Sequence, residues 1–555
     1  MKMTYSRCMA LAIACTLFLI PVSLFAAGQS GSGTSAEEPT EITWNFPKTE
    51  SWFADELEER FNVILTLDGV ADNDKDKTNV MIASGELPDV FTFGVPLELY
   101  DERLTRTIPE AMIRENMPNY SKLLDSMPLG WLQHRSPDNE NEYIALTGFA
   151  DHTNLNMSYH AFRKDWADAV GIDVPNYEAE KVPLDSIPKV YFLDESLPIS
   201  WFEELLVAFR DGDPDGNGKN DTIPYGASNN VRWSWTNLLA AFNVAFGYNL
   251  MEDGELKEWN IADGYKDFLS LMNKWFEMKI IDQEFATIPV TKSWEKGQAG
   301  QLGMVQFDAY GIRANGVERW GPDSLATNEE AAAGVEVVVV PPPLGPDGTG
   351  GGRIYSPISP IAYQLTVHAD VDDAKLAKIL QIVDYIRATP DDETWVKSVF
   401  GKEGVHFTWE GEAWNSKAVR TPEDQVEEGY SDLGMFPWHR PQFVPSSKFT
   451  YMYHPELRDF YTWMAAGAGR RFAIGPYRFD IANETNIREV NRQYGSTMNT
   501  IRDEFMYKAI TGEIDIDAEW DSYVKNWLDN GGSDLLAEYA KAPMTSELRK
   551  GNVVY

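Results

Sequence analysis

Cysteine is almost absent from this sequence. The 555 residues contain two, Cys8 and Cys15, and both lie in an apolar N-terminal stretch that follows Lys2 and Arg7. Basic residues before an apolar run that ends in small residues are typical of a secretory signal peptide, which we place at residues 1–26. Without that segment the chain has no cysteine, which excludes disulfides, thiolate metal ligands and a cysteine nucleophile. We therefore expect an exported protein, periplasmic or extracellular.

Long apolar runs and an excess of basic charge are missing as well. After residue 26 no stretch approaches the roughly 18 consecutive apolar residues that span a bilayer, so we expect no transmembrane segment in the exported chain. Leu11–Cys15 is weakly similar to a lipoprotein cleavage box, but the apolar run continues beyond it, which favours release over lipid anchoring. The sequence has 48 Lys and Arg against 86 Asp and Glu, a net charge of −38. Nucleic acid and anionic membranes are unfavourable partners for such a chain.

The common catalytic signatures are also lacking. The sequence contains no H-E-x-x-H, G-x-S-x-G or C-x-x-C motif, and no G-x-G-x-x-G opens a helix after a strand. The seven histidines are scattered, with no i, i+4 pair that could bind zinc on one helix face. A catalytic pair of carboxylates remains a possible arrangement, because so many acidic residues could meet in the folded chain. No catalytic residue is predicted.

One short segment has the side chains of a calcium loop. A calcium ion takes roughly six to eight oxygen ligands, and an EF-hand-like loop supplies them from positions 1, 3, 5, 7 and 9 around a glycine at position 6. In this sequence those ligand positions fall on Asp213, Asp215, Asn217, the carbonyl of Lys219, and Asp221. Pro224 replaces the glutamate that usually closes the loop. The pattern predicts a structural calcium site, and a solvated acidic turn is the alternative.

The hydrophobic pattern predicts an α/β protein. Residues 41–46 and 62–67 alternate as strands do, a helix is predicted over 51–60 between them, and a third strand is predicted over 89–93. Strands that alternate with helices are typical of a mostly parallel sheet. Residues 27–40, which are rich in Gly and Ser, predict a flexible linker. The rest of the chain exceeds one hydrophobic core and is expected to form two or three domains.

Aromatic residues are abundant, with 18 tryptophans and 24 tyrosines. Many lie in polar segments, where a ring with a wet edge can stack on the apolar face of a sugar while neighbouring polar groups bind the hydroxyls. Packing in a core is at least as good an interpretation for any single ring. The collection as a whole indicates a binding cleft.

Several segments together resemble the extracellular solute-binding proteins of family 1, which serve ABC importers, and in particular their large oligosaccharide-binding branch. The segments are Ala83–Val90, Arg163–Trp166 with Val170–Ile172, Asp213–Pro224, Gly401–Phe407, and Ile510–Gly512 with Trp520–Val524. They occur in the family's order and span most of the chain. The resemblance implies a two-lobed periplasmic-binding-protein fold with hinge crossings and a ligand cleft between the lobes.

The resemblance also implies where the lobes and the site lie. The N-terminal lobe would comprise residues 41–159 and 355–389, and the C-terminal lobe residues 160–354 and 390–555, with hinges near Tyr159 and Tyr355. The protein would be a monomer that binds an oligosaccharide or a related small solute, closes around it and delivers it to permease subunits. Calcium would be held by the loop described above. We expect the cleft aromatics to be Trp44, Trp233, Trp235, Tyr310 and Trp409.

Two other classes of protein fit some of these features. A secreted, calcium-dependent polysaccharide-degrading enzyme would also have an aromatic cleft and a calcium loop, but it would turn over its ligand. A structural or adhesive surface protein would have no small-ligand site, and the lack of internal repeats is unfavourable to it. The sequence does not identify the solute or the cognate permease.

Overall fold

The computed structural model describes residues 38–46, 49, 51–71, 74–126, 128–147, 158–177, 189–193, 195–219, 221–230, 234–308, 335–350, 353–354, 364–387, 391–416, 418–422, 425–426, 473–474, 476–480 and 484–548. The predicted signal peptide and most of the predicted linker lie outside these residues. Within the described ranges, every helix is too short or too polar to cross a membrane.

The described elements alternate between strands and helices. The strands are β1 (Thr40–Trp44), β2 (Val63–Leu67), β3 (Val90–Phe91), β4 (Ile108–Pro109), β5 (Glu142–Tyr143), β6 (Leu146–Thr147), β7 (Ser158–Arg163), β8 (Lys189–Phe192), β9 (Ile223–Gly226), β10 (Asn249–Glu252), β11 (Glu255–Glu258), β12 (Leu302–Asp308), β13 (Glu336–Val340), β14 (Arg353–Ile354), β15 (Gln364–Val367), β16 (Phe407–Trp409), β17 (Ala418–Arg420) and β18 (Ala473–Ile474). The α-helices are α1 (Trp52–Phe61), α2 (Lys75–Ser84), α3 (Pro96–Asp101), α4 (Glu110–Asn116), α5 (Pro118–Ser126), α6 (Lys164–Ala169), α7 (Ile199–Gly212), α8 (Thr236–Ala240), α9 (Asp263–Glu277), α10 (Val290–Gln298), α11 (Asp373–Arg387), α12 (Asp392–Phe400), α13 (Glu484–Thr511), α14 (Ile516–Trp527), α15 (Ser533–Lys541) and α16 (Thr545–Leu548).

The first sheet has the strand order β2-β1-β3-β15-β6. Strands β1, β2 and β3 are parallel, and α1 connects β1 to β2. Helix α1 begins at Ser51, whose side chain accepts a hydrogen bond from the amide of Phe53, and it ends at Asn62 in the left-handed conformation. Strand β15 arrives from far along the chain and pairs antiparallel with β3 and β6. The strands and helix predicted over 41–67 are therefore present.

The second sheet has the order β8-β13-β7-β12-β9. Strand β7 lies in the centre and is antiparallel to both of its neighbours, while β8 is parallel to β13 and β9 is parallel to β12. Four consecutive residues of β13, Val337–Val340, are buried, which is the pattern of a strand covered on both faces. The apolar faces of helices α7 and α9 pack on this sheet's core.

Each sheet has its own hydrophobic core. The first core joins residues of β1 to β3 with the apolar face of α11, including Leu376, Ile379 and Val383. The second core joins the second sheet to α9 and to the C-terminal helices α13, α14 and α15. Two cores are the expected result for a chain too long to pack around one. The lobe boundaries at 159, 354 and 389 remain predictions.

The segment 391–416 belongs to residues 390–555, whose predicted place in the C-terminal lobe remains a prediction. Its side chains contact α1, because His406 stacks on Trp52 at 5.1 Å between ring centroids and Lys397 forms an ion pair with Glu56. Helix α12 also packs on α11. These described contacts join the segment to elements of the first sheet. The hairpin β16–β17 has a small hydrophobic cluster of its own. A local pattern of this kind does not indicate which distant elements the segment contacts, so the sequence could not have predicted these contacts.

Candidate functional site

A buried polar cluster lies where the first three strands of the first sheet end. The Asp68 carboxylate accepts hydrogen bonds from the amides of Phe46 and Val70, each at 2.9 Å, and from Asn45 Nδ2 at 3.2 Å. Asn45 is fully buried, donates to the Val70 carbonyl at 2.8 Å and accepts from the Thr92 hydroxyl at 3.3 Å. Ligands of open α/β sheets bind beyond the carboxyl ends of parallel strands. This cluster therefore fixes the three loops that would form one wall of a binding cleft.

A second polar cluster lies beside the central strands of the second sheet. His160 Nε2 on β7 lies 3.2 Å from the Tyr225 hydroxyl, which donates to the Ser234 carbonyl at 2.5 Å. Because that hydroxyl's one proton goes to Ser234, His160 Nε2 is the donor of the first bond. Burial lowers the pKa of His160 to about 3, so its ring is neutral at physiological pH.

Gln306 on β12 belongs to this second polar cluster, since it is the cross-strand neighbour of His160. Gln306 Oε1 accepts from the amide of Asn237 at 2.8 Å, and its Nε2 donates to the Thr236 hydroxyl at 2.7 Å. All three side chains are buried. The turn that begins at Ser234 is thus attached to the sheet by neutral hydrogen-bonding groups, which is a suitable support for a loop that contacts a polar, uncharged ligand.

Three of the five predicted cleft aromatics lie within the described residues, at three separate places. Trp44 is fully buried in the first core. Trp235 is fully buried in the second core, with its ring 5.1 Å from that of Phe285. Trp409 is half-buried on the hairpin β16–β17, with its ring 5.2 Å from that of Trp414. Trp233 and Tyr310 lie outside the described residues. The prediction that these aromatics share a cleft remains a prediction.

The predicted calcium loop follows directly from the end of α7. Asp213 terminates the helix in the left-handed conformation at φ 47°, and its carboxylate accepts from the amide of Gly218 at 3.0 Å. Gly216 and Gly218 also have positive φ values, of 65° and 72°, which a side chain would disfavour. The loop therefore bends back on itself as the glycine spacing predicts.

Three carboxylates converge in this loop. Asn217 Nδ2 donates to the Asp215 carboxylate at 2.7 Å and to the Asp221 carboxylate at 3.0 Å. Partial burial raises the pKa of Asp215, and the neighbouring carboxylates of Asp213 and Asp221 add to the rise. Across the described residues, no three acidic, histidine or cysteine side chains are arranged as metal ligands. These oxygen donors nevertheless suit a hard cation. The carboxylates surround the position of Asn217 Nδ2, and a cation bound there would interact with the same oxygens.

One chain crossing between the two cores, at residues 476–480, lies away from the hinges predicted near Tyr159 and Tyr355. Residues 476–480 are held to the second lobe, because the amides of Tyr477 and Arg478 donate to the backbone and side-chain oxygens of Asn249 at 2.9 and 2.6 Å, and Asn249 Nδ2 donates back to the Arg478 carbonyl. The next side chain, Phe479, is buried in the first core. No periodicity or motif marks so short a segment. The one signal available in the sequence was that an aromatic side chain such as Phe479 is usually buried.

Comparison with known proteins gives a consistent picture. No protein-family model matches the chain. Lipoprotein LipO of Bacillus subtilis (strain 168) is 22% identical over 480 residues, which cover 85% of this chain and 84% of the relative. The polygalacturonan/rhamnogalacturonan-binding protein YtcQ of the same organism is 21% identical over 514 residues, which cover 88% and 87%. The sequence similarity thus extends along nearly the whole of both chains.

Solved structures share the fold. A human-milk-oligosaccharide-binding, ABC-transporter-associated solute-binding protein from Bifidobacterium longum infantis matches with a TM-score of 0.63 at 15% identity, covering 91% of this chain and 98% of that chain. The alginate-binding protein AlgQ2, solved without calcium ion, matches with a TM-score of 0.60 at 16% identity over 91% and 98%. The two-lobed α/β fold predicted from the sequence is confirmed, and the predicted resemblance to solute-binding proteins is confirmed with it.

Proposed function

We infer that this chain is the extracytoplasmic solute-binding protein of an ABC importer and that it captures an oligosaccharide for delivery to a membrane permease. The observation that carries the proposal is the match along more than four fifths of the chain to two relatives, one of which is named a polygalacturonan/rhamnogalacturonan-binding protein. The fold supports it, since neighbours of the same fold are named for HMO binding and alginate binding. YtcQ and these two neighbours are named for binding alone, which supports binding without turnover.

Transport requires a change of shape that depends on the solute. A ligand that contacts both lobes binds the closed form more tightly than the open form, and it shifts the population toward closure by that difference in affinity. The neutral cluster around His160 and Gln306 would support one wall of the cleft, and the loops tied by Asp68 would support the other. Crossings such as residues 476–480 would absorb the rotation.

Aromatic side chains would complete the site by stacking on sugar rings. Trp44, Trp233, Trp235, Tyr310 and Trp409 remain our candidates. The burial of Trp44 and Trp235 means that these two would need a local rearrangement to touch a solute. We further propose that residues 1–26 direct export and are removed, and that the exported protein acts as a monomer in the periplasm or outside the cell.

Calcium would act as a structural clamp at the end of α7. Asp213, Asp215, Asn217, Lys219 through its carbonyl, and Asp221 would hold it, with water or Thr222 completing the shell. A bound divalent cation would neutralise the converging carboxylates and cross-link the two ends of the loop. This loop has no described contact with the polar clusters of the two sheets, so the metal would stabilise the lobe rather than bind the sugar.

Isothermal titration with a panel of neutral and acidic oligosaccharides tests the proposed function. We expect at least one class to bind with a Kd of about 1 μM or tighter, which corresponds to roughly −8 kcal/mol. The same mixtures, analysed for new reducing ends after prolonged incubation, should contain intact ligand. Binding by no member of the panel, or release of shortened products, would contradict the proposal.

A further inference from the structure

Glu258 lies directly beside the clamp that Asn249 forms on the crossing. Strands β10 and β11 form an antiparallel hairpin in which Asn249 and Glu258 are cross-strand partners. Directly opposed side chains on such a pair lie on the same face, within contact distance. Asn249 makes three hydrogen bonds to the crossing, at the carbonyl and amide of Arg478 and the amide of Tyr477. Glu258 therefore lies next to the residue that forms the clamp, which we define as the three hydrogen bonds that join Asn249 to Tyr477 and Arg478.

Glu258 is poorly provided with partners for a charged carboxylate. Its exposed fraction is 7%, and its Oε2 accepts no hydrogen bond from any described residue. The Tyr539 hydroxyl of α15 donates one hydrogen bond to the carboxyl group. Transfer of an ionised carboxylate into such a place is costly unless it is paired, so the neutral acid is the favoured form.

Charged and titratable groups face Glu258 from each element packed around it. Asp480 lies on the crossing itself, Arg502 on α13, Tyr523 on α14 and Tyr539 on α15. Burial raises the pKa of Glu258 to about 8, and the Asp480 carboxylate adds to the rise, while Arg502 and the Tyr539 hydrogen bond oppose it. Ionisation would thus place a second negative charge beside the carboxylate carried by the crossing.

We propose that Glu258 makes the attachment of the 476–480 crossing to the second lobe depend on pH. Burial opposite Asn249 favours the neutral form of Glu258. Loss of its proton to solvent leaves a buried charge that is repelled by Asp480 and must move toward water. That movement disturbs the face on which Asn249 holds Tyr477 and Arg478 and opens these hydrogen bonds, while the bonds from residues 476–479 to Ala542, Pro543 and Thr545 remain.

The consequence for transport rests on the proposed function. If residues 476–480 are a hinge, opening of the clamp changes the balance between open and closed forms, so solute affinity would change between about pH 5 and 8. Acidification below the ordinary glutamate pKa of 4.5 would leave the clamp fully engaged. The clamp itself can be tested without any solute, which separates a failure of this proposal from a failure of the proposed function.

Backbone hydrogen exchange of the Tyr477 and Arg478 amides tests the proposal, with rates divided by the intrinsic rate at each pH and compared with the core amide of Ile510. We expect protection in the unmodified chain to fall by up to tenfold for each pH unit between about 5 and 8 and to level off above pH 8, because the clamped form holds the proton with a pKa of about 8 and the released form with the ordinary glutamate value of 4.5. The variant Glu258→Gln, which mimics the neutral acid, should keep constant protection across this range.

Two further variants complete the experiment. Glu255→Gln removes an exposed carboxylate from the same hairpin and should behave like the unmodified chain. Asp480→Asn removes the repelling neighbour and should move the midpoint of any titration by changing the acidity of Glu258. Equal pH dependence in Glu258→Gln and the unmodified chain, or constant protection of the unmodified chain between about pH 5 and 8, would overturn the proposal.

Discussion

Two buried polar side chains, Asp384 and Asn249, form hydrogen bonds with partners that lie far away in sequence. Asp384 on α11 accepts hydrogen bonds from the amides of Asn119 and Tyr120 and from Asn119 Nδ2, and so caps the start of α5. Asn249 bonds to a segment more than 200 residues later. Neither role is visible in local sequence, because the residues around Asp384 predict only a helix. Long-range polar contacts are the part of the structure that pattern analysis cannot supply.

Substitution of Trp235 tests whether this side chain fills the core or binds the solute. Its ring is fully buried between Phe268 and Phe285, so truncation should leave a cavity. We expect Trp235→Ala to lower the free energy of unfolding by about 3–5 kcal/mol, measured by urea denaturation. Trp414→Ala, at a ring that is 39% exposed, is the matched control and should cost less than about 1 kcal/mol.

The same variants can be titrated with the best oligosaccharide. If Trp235 fills the core, the more conservative Trp235→Phe should keep the Kd within about twofold while it lowers stability. A large loss of affinity in Trp235→Phe with stability unchanged would instead assign this ring to the solute site, in agreement with the expectation drawn from the sequence.

At the scale of elements, the sequence predicts individual helices and strands well and their neighbours poorly. The hydrophobic patterns of residues 335–340 and 374–387 are those of a strand and a helix, and the structure has β13 and α11 at these places. Strand β15 shows the limit. The sequence of this segment predicts a strand, but it does not indicate that the strand inserts between β3 and β6. Periodicity reports which face is buried and not what covers it.

The calcium loop offers a test at this scale. We expect added calcium to raise the thermal midpoint of the unmodified chain, since a ligand at about 100 times its Kd contributes roughly 2.7 kcal/mol to stability. Asp215→Asn removes one of the converging carboxylates and should reduce that shift by weakening the site. Asp211→Asn lies just outside the ligand positions and serves as the control. A thermal midpoint that does not respond to calcium would favour the solvated acidic turn.

For the whole molecule, two sheets with separate cores permit rotation of one relative to the other. Small-angle scattering should give a mass of one chain and a radius of gyration that falls when a binding oligosaccharide is added, from a starting value near or above the roughly 24 Å expected for a compact chain of this length. A sugar that titration shows not to bind should leave the profile unchanged. Identical profiles with and without a tightly bound solute would rule out closure as the response to binding.

Strand β15 also determines the order in which the molecule can be completed. The second sheet has all of its strands once the nascent chain reaches Val340, whereas the first sheet waits for Gln364–Val367. Synthesis proceeds from the N-terminus, so the sheet that is begun first receives its last strand second. Until then β3 and β6 lack the strand that joins them, and open strand edges pair readily with other chains. The first sheet therefore exposes unpaired strand edges for longer than the second, while the second core still waits for the C-terminal helices α13, α14 and α15.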